Sequence, residues 1–463
     1  MGHGKASATQ VRGDHGVHRD FKEDFLCARS VCALCGETAQ GELIIDAPMH
    51  IGIDASRATV ARRTGTEAYA LNLTRALLAL PTEHQWELYF RDEPAPDLFP
   101  RSGQTHRFAP TPSTGQTHRF ASSGEHTPHC KPTVGASVGS PLPNLYGRTD
   151  VSAPTTFTLI PQRRLWTHLG LARQLHNHPP DCLFIPAHVL PIYHPTPSVV
   201  TVHDLGYLHF PDAHPFAQRL YLEASTRFAA RAATALLADS QATKTDLIRH
   251  YQTPAEKIHV VYPGFDPALK PVRHPNGRWP VRQKYNLPDK FILHVGTLQP
   301  RKNLERLIEA FDPTQISLVL AGRRGWLAES IYAKGQAKGV HFIDYVDEAD
   351  LAALYSMATV CVAPSLYEGF GFTVLEAMAC GTAVICSDGG SLPEVAGSAA
   401  LIVPAKDTAG LAQAIARVVA DDDLRRTLIM QGYRNLTRFS WEQAARQALA
   451  VLEIVGATRK GNS

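Results

Sequence analysis

The sequence predicts an α/β protein built from two doubly wound parallel sheets. Short apolar segments alternate with helical patterns after residue 150, which is typical of parallel strands joined by crossover helices. The 463 residues are too many for one ordinary core, so we expect two domains. A stretch rich in proline and basic residues at 267–280 is a natural linker. These observations favour two Rossmann-like domains facing across a cleft, with ligands bound where strands end.

The folded part is predicted to begin at Met49, where MHIGIDASR forms a first buried strand followed by a helix over 66–80. Further strands are predicted at 182–185, 198–203, 235–238, 258–262, 291–295, 317–321, 341–342, 359–364 and 383–386. Further helices are predicted at 303–311, 347–357, 408–419 and 440–454.

The domain boundaries follow from this alternation. Residues 1–48 have little periodicity, so we expect a disordered extension, with a start annotated too far upstream as the alternative. The first domain covers 49–280 and the second covers 281–439, followed by a helix and tail at 440–463. Within the first domain, 92–150 is predicted to be an irregular insert. It carries GQTHRFA twice, which we interpret as a local duplication.

Composition and sequence pattern give no support for a protein that binds nucleic acid, is held by disulfides or spans a membrane. The net charge of +3 gives no argument for a nucleic-acid partner. Eight cysteines without regular spacing favour a reducing cytosol, and the CxxC of Cys32 and Cys35 lacks the second ligand pair of a metal site. No apolar run reaches the ~18–20 residues of a membrane span. We expect a cytoplasmic protein, with a contact at the inner face of the membrane left open.

The segment SLYEGFGFTVLEAMACG, at 365–381, carries the strongest functional pattern. Glu368 and Glu376 flank Gly369 and Gly371, in the order strand, glycine loop, helix start. Small residues let a ligand reach free backbone N–H groups, and the helix dipole favours an anion. With Glu376 in the first helical turn, the pattern suits a nucleotide diphosphate joined to a sugar. The alternative is a plain capping box of Thr373 and Glu376.

Three other loops follow predicted strands. In HVGTLQPRKNL, Gly296 precedes Arg301 and Lys302, whose charges at a helix start would be compensated by a diphosphate; the alternative is a solvated basic loop. Gly65 lies at another helix start that suits an anion. His203 follows the strand residues 198–202, where the alternative to a ligand contact is a structural histidine.

These segments resemble the retaining glycosyltransferases of family 4, which have the GT-B fold. The spacing of Glu368 and Glu376 matches that family's Glu-x7-Glu pattern, and GFGFTVLEAMACG and GTLQPRKNL match its loops. The motifs follow the family order over about 49–454, apart from the insert. The resemblance implies that the first domain faces the acceptor, the second binds the donor, and the last helix crosses back to the first domain.

The resemblance also implies individual roles. Glu368 would hold the hydroxyls of the donor sugar, Glu376 the ribose, and His203 the transferred sugar. The catalytic residues would be His203 and Glu368, and the donor-binding residues would be Gly65, Gly296, Arg301, Lys302, Gly369, Phe370, Gly371 and Glu376. No metal is expected, because the acidic run at 421–423 starts a surface helix and the cationic side chains would neutralise the diphosphate.

The implied reaction is transfer of a hexose, with retention, from a nucleotide-diphosphate sugar to an acceptor hydroxyl in cell-surface polysaccharide or glycolipid synthesis. TVHDLGYLHFP and PSLYEGFGF look most like the mannosyltransferase-like group 1 branch. GDP-mannose is therefore the first expected donor and UDP-glucose the second, with a sugar or lipid-linked glycan as acceptor. The alternatives are a non-catalytic GT-B module that binds nucleotide sugars and a nucleotide-sugar epimerase.

Overall fold

The structure is a computed structural model. It describes residues 47–60, 63–96, 98–99, 104–108, 154–162, 164–194 and 197–460, with the backbone alone at 104–108. Almost all of the predicted extension, Cys32 and Cys35, most of the insert, the second GQTHRFA copy and the last three residues lie outside the described residues.

The first domain is built on a parallel sheet with the strand order β3-β4-β2-β1-β5-β6-β7-β8. Its strands are β1 (His50–Asp54), β2 (Gln85–Phe90), β3 (Gln104–Phe108), β4 (Thr155–Leu159), β5 (Cys182–Ile185), β6 (Ser198–Val202), β7 (Ala235–Ala238) and β8 (Ile258–Val260). Its helices are α1 (Gly65–Leu78), α2 (Ala172–Asn177), α3 (Gly206–His209), α4 (Phe216–Ala232) and α5 (Gln241–Tyr251).

The second domain is built on a parallel sheet with the order β11-β10-β9-β12-β13-β14. Its strands are β9 (Phe291–Val295), β10 (Ser317–Ala321), β11 (His341–Ile343), β12 (Val360–Ala363), β13 (Ala383–Ser387) and β14 (Ala400–Val403). The helices from the linker onward are α6 (Pro275–Lys284), α7 (Leu304–Ala310), α8 (Glu329–Ala337), α9 (Glu348–Met357), α10 (Phe372–Ala379), α11 (Leu392–Ala396), α12 (Thr408–Ala420), α13 (Asp422–Asn435) and α14 (Trp441–Lys460). The predicted α/β class, with two doubly wound parallel sheets, is confirmed.

Several strands escaped the sequence prediction, and β2 shows why. Glu87 interrupts its apolar run, yet this side chain is only 2% exposed. His50 lies 3.0 Å from the Glu87 carboxylate, and the Thr158 hydroxyl donates to it at 2.6 Å. Burial alone would raise the pKa of Glu87, but these partners lower it. Contacts from the neighbouring strands β1 and β4 therefore let a charged residue occupy a buried strand.

β3 lies inside the segment that the sequence marks as an irregular insert. It covers part of the first GQTHRFA copy and pairs with β4 in parallel, from Gln104 opposite Thr155 to Phe108 opposite Leu159. An edge strand bonds to a neighbour on one side only and can be largely polar, so hydrophobic periodicity gives it little signal.

The last helix, α14, packs on the first domain, against α1 and strands β5 to β7. Ala448 and Leu452 are fully buried in the same core as Leu73 of α1. Trp441, the first residue of α14, packs against Gly264, where an added Cβ would lie 2.3 Å from the Trp441 backbone nitrogen. The chain thus crosses twice between domains, and the second crossing joins the last helix to the first domain.

Two further features of the described residues concern their helices and their cysteines. None of their helices has both the length and the hydropathy needed to cross a bilayer. Cys182, Cys361, Cys380 and Cys386 are buried without disulfide partners.

The packing of α14 predicts a large loss of stability on truncating its buried face. We expect Leu452→Ala to lower the free energy of unfolding by about 2–4 kcal/mol, because it leaves a cavity in a closed core. Ile454→Ala is the matched control, since Ile454 is on the same helix and 38% exposed. Urea unfolding measures both, and equal losses in the two variants would contradict the described packing.

Candidate functional site

The loop between β12 and α10 carries both predicted glutamates, and Gly371 sets its geometry. Gly371 has a φ of 102° and caps α10, and an added Cβ would lie 2.7 Å from Leu392 Cδ2. Because this left-handed turn starts the helix at Phe372, Glu376 lies in the second helical turn. The prediction of Glu376 in the first turn is therefore wrong. The capping-box alternative also fails, and the Thr373 hydroxyl instead donates to the Val295 carbonyl at 3.2 Å.

Glu368 lies, with its side chain 13% exposed, between the two predicted diphosphate-binding cations. Its carboxylate accepts from Lys302 Nζ at 2.6 Å, from Arg301 at 3.1 Å and from the Ser365 hydroxyl. Burial alone would raise the pKa of Glu368, but Lys302 and then Arg301 lower it to about 2. At neutral pH this group is ionised and only weakly basic, so it can accept hydrogen bonds from hydroxyls but is a poor general base.

Arg301 and Lys302 lie in a short turn, Pro300–Lys302, before α7. Asn303, with a φ of 57°, separates this turn from the helix. Arg301 also donates to the Tyr367 carbonyl at 2.6 Å. The two cations share the one carboxylate of Glu368, with Asp204 a further negative charge acting on Arg301. The arrangement therefore offers two fixed donors to an additional anion such as a diphosphate.

Gly296 directly follows β9, beside these cations, and has a φ of 151°. An added Cβ would lie 3.4 Å from His294 Nε2 and 3.6 Å from Lys302 Cε, so this glycine leaves space beside Lys302. His294 was not predicted. Its Nδ1 pairs with the Val362 carbonyl at 2.9 Å, its Nε2 has no protein partner, and burial lowers its pKa to about 4. A histidine within the apolar strand FILHV was the available signal.

Glu376 and Phe370 have different surroundings. The carboxylate of Glu376 accepts from the Tyr355 hydroxyl at 2.7 Å, and burial raises its pKa. The ring of Phe370 packs within the second domain, 5.1 Å from Phe372 and 5.8 Å from Phe439 between ring centroids. Phe370 is only 4% exposed, so its backbone is the part that a donor could contact.

His203 has both ring nitrogens engaged by the protein. Nδ1 lies 2.6 Å from Asp239 Oδ2, and Nε2 lies 3.1 Å from the Pro186 carbonyl. Burial lowers the pKa of His203, but Asp239 outweighs it and the net shift is upward. Since both partners are acceptors, the ring is best satisfied as an imidazolium that donates twice. In this geometry His203 is neither a base nor free to contact a sugar with its ring nitrogens.

Asp239, like His294, was absent from the sequence prediction. It follows β7, the strand next to β6, so its side chain meets His203 at the same sheet edge. The polar segment ADS directly after an apolar run was the available signal.

Close contacts join the glutamate loop to the first domain. An added Cβ on Gly369 would lie 2.2 Å from the His203 carbonyl oxygen. The Ser240 hydroxyl donates to the Gly369 carbonyl at 2.6 Å. The Tyr367 hydroxyl donates to Asp246 at 2.6 Å. Glycine is required at 369 because the two backbones approach so closely, and the loop is thereby placed against the ends of β6 and β7.

Gly65 is the first residue of α1, and its Cα faces the second domain. An added Cβ would lie 3.5 Å from the ring of Phe372. The preceding residue, Thr64, forms a capping box with Glu67. Nearby, Arg63 lies 3.3 Å from Glu348 of α9. The start of α1 therefore faces the start of α10, which brings the predicted anion-binding ends of the two domains together.

Glu394 makes a further contact between the domains that the sequence did not reveal. Its carboxylate, on α11, accepts from the backbone N–H groups of Gln241 and Ala242 and from the Tyr262 hydroxyl. A carboxylate of the second domain thus caps α5 of the first, where the helix dipole favours negative charge.

Comparison with known proteins shows which family of sequences the chain matches. Residues 63–269 match a family model described as Glycosyltransferase Family 4, and residues 277–435 match one described as Glycosyl transferases group 1. The chain is 32% identical to O-antigen chain mannosyltransferase B of Escherichia coli, over 56% of this chain and 70% of that protein. It is 30% identical to alpha-maltose-1-phosphate synthase of Mycolicibacterium smegmatis, over 71% of this chain and 90% of that protein.

The fold is similar to that of a solved structure, sucrose-phosphate synthase from Thermosynechococcus elongatus. The match has a TM-score of 0.62 at 23% identity and covers 89% of this chain and 100% of that one.

The electrostatics of Glu368 predict a pH-dependent contribution to stability. A folded-state pKa of about 2, below the ordinary 4.5, means that the ionised carboxylate stabilises the fold above pH 4.5 and loses this effect as pH falls towards 2. We expect Glu368→Gln to cost roughly 3 kcal/mol at pH 7, with the difference from wild type shrinking below pH 4.5.

Urea unfolding at pH 7 and at steps down to the lowest pH where both proteins stay folded measures this difference. Glu442→Gln, at an exposed position on α14, serves as the control. A cost for Glu368→Gln that does not change with pH would exclude the paired carboxylate.

Proposed function

Because this chain belongs to glycosyltransferase family 4 and is a glycosyltransferase of the mannosyltransferase-like group 1 branch, we propose that it transfers mannose from GDP-mannose to an acceptor hydroxyl. We propose retention of configuration at the anomeric carbon. UDP-glucose is the second candidate donor. The observation that carries the proposal is the part-buried cluster of Arg301, Lys302 and Glu368, in which Glu368 lies one short loop before the helix of Glu376.

In the proposed complex, the donor diphosphate lies against Arg301 and Lys302. These side chains are 13% and 15% exposed, so they are held in place and little solvated before the donor arrives. Their charges would stabilise the departing diphosphate without a metal ion at this position. The space beside Gly296 lies next to the same cations, and so does the start of α10.

The two glutamates would bind different parts of the donor. Glu368, ionised at any pH above about 2, would accept hydrogen bonds from hydroxyls of the donor sugar. Glu376, aligned by the Tyr355 hydroxyl, would accept from the ribose. His203 would act as a positioning residue, because the hydrogen bonds of its ring order the loop end against which Gly369 packs.

The proton of the acceptor needs a destination. Glu368 is too weak a base and His203 already donates from both ring nitrogens. We therefore propose that the acceptor oxygen attacks the anomeric carbon as its bond to the diphosphate breaks, and that a departing phosphate oxygen takes the proton. This route needs no base from the protein and agrees with attack on the face that the leaving group vacates.

The acceptor is proposed to be a sugar or lipid-linked glycan of a cell-surface polysaccharide, because one relative is a mannosyltransferase of the O-antigen chain. α4 of the first domain leaves Phe216, Leu220 and Tyr221 more than half exposed, beside Arg219. Apolar side chains next to a cation suit a contact with an anionic membrane surface, where a lipid-linked acceptor would be presented. No specific observation favours the non-catalytic or epimerase alternatives.

Donor binding is the first prediction of this proposal. We expect GDP to raise the melting temperature of the protein more than UDP or ADP does. A ligand that binds only the folded state stabilises that state, so the nucleotide that binds most tightly gives the largest rise. Lys302→Ala and Glu376→Ala should remove most of the shift, since each deletes a group that holds the nucleotide. The controls Lys334→Ala and Glu442→Ala are exposed and should keep it. A folded wild type that binds none of the nucleotides would overturn the proposal.

Product stereochemistry is the second prediction. With GDP-α-mannose and a panel of mannoside acceptors, we expect an α-linked product, detected by the one-bond carbon–proton coupling of the new anomeric centre. A β-linked product would exclude retention while leaving transferase activity intact. Activity with UDP-glucose alone would reassign the donor.

A further inference from the structure

Three side chains that can bind a metal ion lie close together on the first domain, next to the loop that carries Glu368. His209 is the last residue of α3, and Asp246 and His250 lie one turn apart on α5. Nε2 of His209 is 2.7 Å from Asp246 Oδ2, and Nε2 of His250 is 4.0 Å from Asp246 Oδ1. One ligand atom from each of the three lies within 4.8 Å of the others.

We propose that His209, Asp246 and His250 bind a divalent transition-metal ion of the zinc type. Two imidazoles and one carboxylate form a common zinc ligand set, with a fourth position for water. Metal–ligand bonds of about 2.0–2.2 Å place tetrahedral ligand atoms roughly 3.3–3.6 Å apart. The observed separations lie on both sides of that range, so small side-chain rotations bring the three ligands to one ion.

The surroundings of the cluster suit a bound ion. Asp246 is buried, with its side chain 10% exposed, so its charge is poorly solvated and gains from a cation. The side chains of His209 and His250 are 28% and 31% exposed, which leaves a path from solvent. A plain histidine–carboxylate hydrogen bond accounts for His209. It does not account for His250, which is packed edge-on to His209 at 5.4 Å between ring centroids and is too far from Asp246 to hydrogen-bond.

Tyr367 links this cluster to the donor loop. Its hydroxyl donates to Asp246 Oδ2 at 2.6 Å, and its ring stacks on His209 with 4.7 Å between centroids. Tyr367 immediately precedes Glu368. A metal ion held by Asp246 would fix the carboxylate that Tyr367 contacts, as partners of metal ligands commonly do. The proposed ion is therefore structural, anchoring the loop to the first domain, and takes no part in the transfer step.

Metal content of the full chain tests the site directly, without using transferase activity. Wild type is stripped with chelator, dialysed against buffered Zn²⁺, and its bound zinc is counted by mass spectrometry beside His250→Gln, Asp246→Asn and the control His178→Gln at an exposed position. We expect the two cluster variants to bind about one zinc per chain fewer than wild type, and the control to match wild type.

Cobalt distinguishes this site from the cysteines elsewhere in the chain. A histidine–carboxylate site gives Co²⁺ visible d–d bands without the near-ultraviolet charge transfer of thiolate ligands, and we expect His250→Gln to remove those bands. His250→Gln is the decisive variant, because it leaves the His209–Asp246 and Tyr367–Asp246 hydrogen bonds in place. Equal zinc content in wild type and His250→Gln, with unchanged cobalt spectra, would overturn the proposal whatever the outcome of the donor tests.

Discussion

Glu368 lies part-buried between Lys302 and Arg301, and its ionised carboxylate joins the loop before α10 to the turn after β9. The three charged groups are stable there because each is hydrogen-bonded, whereas a lone charge at the same depth would be costly. Arg301 also donates to the Tyr367 carbonyl, so the pairing fixes backbone as well as side chains. The positions of the cations, of the loop glycines and of the start of α10 all depend on this interaction.

Glu368 and Glu376 show how different surroundings give identical side chains different pKa values. The neighbouring cations lower the pKa of Glu368 to about 2. Glu376 instead accepts a hydrogen bond from the neutral hydroxyl of Tyr355, and burial raises its pKa. Glu368 is therefore a fixed anion, whereas the charge on Glu376 is less favoured until a partner such as a nucleotide donates to it. The carboxylate of Glu368 is thus held by two cations, whereas that of Glu376 accepts from the Tyr355 hydroxyl.

The first domain positions the loop that carries Glu368 more than it supplies reactive groups. His203 is held by Asp239 and the Pro186 carbonyl, and its own carbonyl lies against Gly369. Ser240, Asp246 and the amides capped by Glu394 make further contacts from this domain to the second. Backbone and hydrogen-bond contacts thus join the two domains close to the charged groups of Arg301, Lys302 and Glu368. Such a site favours stabilisation of a leaving diphosphate over acid–base chemistry by the protein.

The sequence by itself determined the alternation of strands and helices and the presence of two parallel sheets. It also determined the loops that carry Glu368, Arg301 and Lys302, because hydrophobic periodicity and the placement of glycines and charges are local properties. Tertiary structure alone decided the rest. Glu87 can occupy β2 because His50 and Thr158 contact its carboxylate. The positive φ of Gly371 starts α10 at Phe372, one residue before Thr373. Asp239 raises the pKa of His203, and His209 lies beside Asp246 and His250, which are distant from it in sequence. Partners distant in sequence set burial, protonation and ligand geometry, and no local pattern encodes them.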